Sequence, residues 1–357
     1  MQPLFLAIGA ALLVCSAKEF HCRRYSTVED LFYNKSSSTV VQLGLRNDGV
    51  GASVQHLIYL TAYAHYRGWG VDEVLHILAQ PSQHAINKTL FVDFMFPNIR
   101  NIGTSTLSNQ PLNLVPVNFT LDLEVLGTVE NTSYVVQSPS CDLELMMYYN
   151  RLRLDDYFND NFLAIMRNLT ICSVKRELAE RSLFNRHGPK KLRVVAHVRR
   201  GDVHATVEER WTPDAFFIGV LKEIRDIYPH ADLHVFSSKF AQSEDDSVWK
   251  EYSDSGIHVH VTEEFNTTNT EQTITVMAHL MAADVFMMSK SSFSSLPALY
   301  NPNCVLYTPW YHGHLKNWIV LPGNFSMEAA KVVLRSQLVA CVGELRHPRR
   351  GWNMRTF

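Results

Sequence analysis

Arg199 and Arg200 come straight after a short, β-branched apolar run at residues 192–198, and Gly201 and Asp202 follow them. A guanidinium is a planar, permanently charged fork that takes phosphate oxygens in pairs. Two of them just past a strand suit an anionic ligand such as a nucleotide diphosphate. Gly201 lets the backbone turn or approach closely. Asp202 can orient an arginine or serve an acceptor hydroxyl, and His197 precedes the pair by two residues. The same residues could instead form a salt-bridge cluster at a strand end, or display Arg200-Gly201-Asp202 as an adhesion tripeptide. A second cluster, Ser289-Lys290-Ser291-Ser292-Phe293, follows the apolar run 284–288 and offers hydroxyls beside the start of a helix. An ordinary helix start is the plainer reading of that run.

The elements that must hold these residues alternate. Strands are expected over 192–198, 233–236, 257–261, 284–288 and 304–307. Helices are expected over 213–228, 243–252, 270–282 and 293–300. In the first of these, Phe216, Val220, Ile224 and Ile227 share one face, with Thr212 as N-cap and Pro213 in the first turn. Alternation of this kind builds βαβ units and a parallel sheet, whose ligands bind at the carboxyl ends of the strands near a switch point. Val198 and Met288 are the two strand ends that lead into the clusters. The first half reads less cleanly. It offers a strand at 39–45, a glycine-bearing loop at 46–51 and a helix at 53–66. Mixed short strands and turns are expected over 87–139, and helix over 142–183. The polar, Gly-Pro-containing stretch 186–191 is the expected domain boundary, giving an acceptor-side domain at 18–190 and a nucleotide-binding domain at 191–357.

The chain has 357 residues, 46% of them hydrophobic, enough for two cores, and a formal net charge of -2. That charge argues against a general nucleic-acid or membrane-surface binder, so an anionic partner must be held by a local basic cluster. Residues 1–17 read as a signal peptide, with an apolar run at 4–14 and small residues after it. A signal anchor is the alternative, and no later segment is expected to span a membrane. Seven N-x-S/T sequons begin at Asn34, Asn87, Asn118, Asn131, Asn168, Asn266 and Asn324, as a lumenal or secreted glycoprotein would have. Beyond Cys15, the cysteines Cys22, Cys141, Cys172, Cys304 and Cys341 allow at most two bridges and no zinc ribbon.

The peptide His197-Val198-Arg199-Arg200-Gly201-Asp202 resembles the H-x-R-R-x-D peptide of the inverting α1,2-, α1,6- and protein O-fucosyltransferase superfamily. The stretch from Ala283 to Ser294 is similar to that superfamily's later donor-binding segment, and the separation of about 90 residues fits as well. The resemblance implies a GT-B fold, an α/β architecture of two Rossmann-like domains with a cleft between them. The C-terminal domain would hold GDP-fucose as donor substrate, with no cofactor and no metal, since arginine neutralises the leaving diphosphate. Arg199 would bind the β-phosphate and Arg200 would support it. His197 would contact the nucleoside or brace the loop, and Ser291, Ser292 and Phe293 would line the pyrophosphate and sugar. Glu208 lies near the place of the base in the α1,6 branch, after a one-residue gap, with Glu209 and Asp202 as rivals; Glu208-Glu209-Arg210 could equally be a solvated turn. The implied activity is transfer of fucose to a glycan or glycoprotein hydroxyl in the Golgi or ER lumen. The alternatives are another nucleotide sugar, or a catalytically inactive secreted glycan-binding protein on the same fold.

Overall fold

The computed structural model describes residues 40–43, 54–55, 58–59, 61–62, 65–66, 70–72, 88–96, 115–118, 133–137, 154–184, 191–201, 203, 209–238, 247–262, 270–310 and 312–346. Two parallel sheets organise them. The first contains β1 (Val40–Leu43), β2 (Gly70–Asp72), β3 (Val115–Asn118) and β4 (Ser133–Gln137) in the order β2-β1-β4-β3. The described residues between 54 and 66 are helical, and Val54, Ile58, Tyr59 and Ala62 are buried. The helix α1 (Lys88–Met95) replaces part of the expected mixture of strands and turns. Its Phe91, Phe94 and Met95 recur at helical spacing and are buried, a pattern that the shortness of the segment hides in the sequence.

Next come α2 (Leu154–Tyr157) and the 22-residue α3 (Asp160–Arg181). Asn159 interrupts them because its side-chain oxygen accepts the Phe162 N–H at 3.0 Å, which starts a new helix rather than continuing the old one.

The second sheet contains β5 (Arg193–Val198), β6 (Asp232–Ser238), β7 (His258–Thr262), β8 (Val285–Met287), β9 (Cys304–Tyr307) and β10 (Ile319–Val320). Its order is β10-β9-β8-β5-β6-β7, all pairs parallel. Counted from β5 this is the doubly wound order 3-2-1-4-5-6, and the winding reverses between β5 and β8. The linking helices are α4 (Asp214–Ile227), α5 (Ser247–Asp254), α6 (Thr270–Ala282) and α7 (Ser292–Tyr300). The chain then adds α8 (Met327–Val333), a π-helical turn (Leu334–Leu338) and α9 (Val339–Arg346), beyond the expected strands and helices.

Side chains alternate across the sheet. Val195, Phe236, Phe286 and Val305 face the core shared with α3, α6 and α7. Val194, Ala196, Val198, Val235, Val285 and Met287 face the core shared with α4, α5 and the C-terminal helices. Asp284 accepts the Arg193 backbone N–H at 2.9 Å and pairs with the Arg193 guanidinium, pinning the amino ends of β5 and β8 together. A disulfide joins Cys304 on β9 to Cys341 on α9, and Cys172 is also disulfide-bonded. Among the described residues no helix is long and apolar enough to cross a membrane.

Candidate functional site

Both clusters singled out in the sequence lie at the carboxyl ends of β5 and β8, the two strands that flank the reversal. There the helices depart to opposite faces, and sheets wound in this way bind ligands at that point. β5 ends at Val198, whose carbonyl accepts the Ser237 hydroxyl at 2.6 Å. Gly201 then adopts φ 76, in the left-handed region where a side chain is unfavourable, so the chain turns directly after the arginine pair.

The two arginines have separate tasks. Arg199 is half-buried, and its guanidinium donates to Ser291 Oγ at 3.1 Å, bridging the β5 and β8 loops. Arg200 turns inward and is 2% exposed. It pairs with Asp214 Oδ1 at 2.6 Å, donates to the carbonyls of Arg199 and Thr212, and stacks over the Trp211 ring at 3.8 Å. Tyr252 donates its hydroxyl to the same Asp214 oxygen at 2.8 Å, and burial together with that carboxylate pushes the Tyr252 pKa up. Arg200 therefore buttresses the loop that carries Arg199. The helix α4 starts at Asp214 with Pro213 as N-cap, not at Pro213 with Thr212 as N-cap. Thr212 is buried and its carbonyl is engaged by Arg200, so it serves the loop instead.

His197 Nδ1 lies 2.5 Å from Ser294 Oγ and 2.9 Å from Ser289 Oγ, and the two hydroxyls are 2.9 Å apart. Burial, reinforced by Arg199 and Arg200, pulls the His197 pKa down to about 3, so the ring is neutral at physiological pH. Ser294 Oγ already accepts the Ser289 backbone N–H, and the network closes when the Ser294 O–H donates to Nδ1. The ring hydrogen then sits on Nε2, which has no partner among the described residues. The His197 ring also packs against Phe293, with centroids 5.1 Å apart.

Ser291 is the N-cap of α7 and accepts the Phe293 N–H at 3.2 Å. It thus presents one oxygen to Arg199 and to the helix start, where free amides and the helix dipole favour an anion. Ser292 Oγ lies 3.4 Å from His312 Nε2, which ties α7 to the segment after β9. His312 is buried, and burial with the nearby Arg210 holds its pKa down at about 3.

The structure thus gathers His197, Arg199, Ser291 and Phe293 around one point, places Ser292 beside them, and sets Arg200 behind. Asp202 and Glu208 lie outside the described residues, while Glu209 is exposed in a turn. Ser289 and Ser294 meet the site through His197, and the run of hydroxyl residues after a buried strand is the sequence signal for both. His312, Trp211 and Asp214 carry no local signal, because only the fold brings them near. Among the described residues no group of three or more His, Cys, Asp or Glu side chains is placed to hold a metal ion.

No family model matches the chain, and no curated protein does. Several solved structures are similar to it over about three quarters of its length. The α-1,6-fucosyltransferase NodZ soaked with GDP-fucose shows 17% identity over 77% of this chain and 97% of its own, with a TM-score of 0.38. The fucosyltransferase NodZ from Bradyrhizobium shows 14% identity over the same shares, with a TM-score of 0.36. POFUT1 in complex with GDP shows 10% identity over 74% of this chain and 94% of its own, with a TM-score of 0.34. The fold and the roles of the site residues rest on this chain's own geometry.

Proposed function

We propose that the chain is an inverting glycosyltransferase that moves fucose from GDP-fucose to a hydroxyl of a glycan or glycoprotein. The observation that carries this reading is the Arg199 guanidinium, held by Ser291 across the reversal point of a doubly wound sheet. That is where such sheets take nucleotides, and arginine is the side chain that pairs with a diphosphate. The peptide from His197 to Asp202 and its resemblance to the fucosyltransferase peptide narrow the donor to GDP-fucose.

In the reaction an acceptor oxygen forms a bond to the anomeric carbon while the bond from that carbon to the β-phosphate oxygen breaks, through an oxocarbenium-like transition state. The acceptor proton goes to a carboxylate, for which Glu208 and Asp202 are the candidates. GDP leaves with the bonding electrons. Arg199 and the first amides of α7 neutralise the charge that grows on the diphosphate, an electrostatic contribution largest at the transition state. Neutral His197 lines the same pocket through its Nε2 hydrogen, and Phe293 supplies an apolar wall.

The disulfide between Cys304 and Cys341 and the bonded state of Cys172 support a secretory-pathway location, as the sequons and N-terminal apolar run do. The reading is tested by incubating the purified protein with radiolabelled sugar nucleotides and a panel of acceptor glycans. Transfer from GDP-fucose is expected. Turnover with a different nucleotide sugar alone would move the donor assignment. Glycan binding without turnover of any donor would favour the inactive glycan-binding reading.

A further inference from the structure

Lys290 lies in the chain between Ser289, which touches His197, and Ser291, which touches Arg199. The residue is 7% exposed, and its side chain makes no ion pair or hydrogen bond with any described residue. Its ammonium rests 4.9 Å from the centroid of the Phe325 ring. A cation–π contact offsets only part of what burying an ammonium costs, and burial accordingly pulls the Lys290 pKa down.

The ring beneath it is held deliberately. Phe325 has φ 59, the one positive φ outside glycine among the described residues. It packs on Phe216 of α4 with centroids 5.3 Å apart. Backbone strain of this kind persists where the surroundings fix it, and it gathers at functional sites.

Charge balance says what the ammonium is for. Both phosphates of a nucleotide sugar are anionic, and Arg200, though adjacent, is already committed to Asp214. Of the two arginines, Arg199 is the one placed to meet the diphosphate beside the first amides of α7. We propose that Lys290 is a second cation of the donor site, binding the diphosphate together with Arg199. The proposal rests on the donor-site reading above and adds to it a residue that makes the site prefer a diphosphate to a monophosphate.

Calorimetry with GDP, GMP and inorganic pyrophosphate on the full-length protein tests it, using wild type, Lys290→Met and Lys290→Arg. Methionine keeps the stem over Phe325 and removes only the charge. Lys290→Met should weaken GDP and pyrophosphate by about 10- to 100-fold and GMP by less than about threefold, as the loss of one charge-assisted contact would. Lys290→Arg should retain most of the affinity. Unchanged GDP affinity in a folded Lys290→Met protein would overturn the proposal while leaving the donor site intact. Wild type that binds neither GDP nor pyrophosphate would overturn both. A second measurement covers a Lys290→Met protein that does not fold. In wild type, GDP should protect Lys290 from acetylation by an amine-reactive reagent, and labelling at the same rate with and without GDP would also overturn the proposal.

Discussion

Replacing Arg200 and Arg199 in turn should give opposite phenotypes, although the two are adjacent and alike in the sequence. The Arg200 side chain is 1% exposed and its partner Asp214 is 15% exposed. In Arg200→Met the Asp214 carboxylate would keep, among the described residues, the Tyr252 hydroxyl as its side-chain donor. Removing one member of a buried pair costs about 3–5 kcal/mol. Asp214 lies in the first turn of α4 and is not fully enclosed, so the lower end applies, about 3 kcal/mol. At about 2–4 °C per kcal/mol for a domain of this size, the midpoint should fall by roughly 6–12 °C. Arg199→Lys keeps the charge at a half-buried position and gives up the hydrogen bond to Ser291, so its midpoint should stay within about 2 °C of wild type. Its activity should drop instead, because lysine cannot make a paired contact with the diphosphate. Loss of about 2–4 kcal/mol at the transition state lowers kcat by roughly 30- to 1,000-fold, more than it lowers donor affinity. Thermal unfolding followed by circular dichroism, with kinetics on the folded variants, checks both. An Arg200→Met protein that melts with wild type, or an Arg199→Lys protein that turns over normally, would refute the division of labour between them.

Acid should destabilise the fold through buried neutral histidines. His279 is fully buried, accepts the Leu183 N–H at 2.9 Å and donates to the Thr275 carbonyl, and burial holds its pKa down at about 4. Its folded pKa lies below its unfolded value, so its contribution is unaffected above about pH 6.5 and is lost as pH falls from there toward 4, by at most about 2 kcal/mol at pH 5. Midpoints measured from pH 7.5 to 5 should slope downward, and His279→Gln should flatten the slope; an identical slope would remove His279 from the account. Glycan occupancy should separate the sequons. Asn324 is exposed in the loop before α8, whereas Asn168 is mid-α3 and its Thr170 is buried with the hydroxyl bonded to the Met166 carbonyl. Peptide mass spectrometry should find a glycan on Asn324 and none on Asn168, and a glycosylated Asn168 peptide would count against that assignment.

The two clusters were legible because each is local. Each is an apolar run followed at once by chemically active residues, and alternation of strand and helix is enough to say that both runs end on the same side of a parallel sheet. What the spacing could not say is that Arg200 turns inward. Its partners Trp211, Thr212 and Asp214 lie beyond a loop whose path no periodicity reveals. Lys290 was hidden for a related reason, since only the fold of the segment before α8 brings Phe325 to it. The short β10 and the π-turn between α8 and α9 carry too few residues for a pattern. In the first half, β2, β3 and β4 are each three to five residues long, too short to count a period of two with assurance.

The central claim is that Arg199 and Ser291 mark a diphosphate site that works through arginine. Calorimetry of GDP against wild type and Arg199→Lys, each in EDTA and in manganese, tests it most directly. The account predicts that wild type binds GDP equally in both buffers and that Arg199→Lys binds it more weakly in both. Binding by wild type that appears only with manganese, or equal binding by the two proteins, would contradict it.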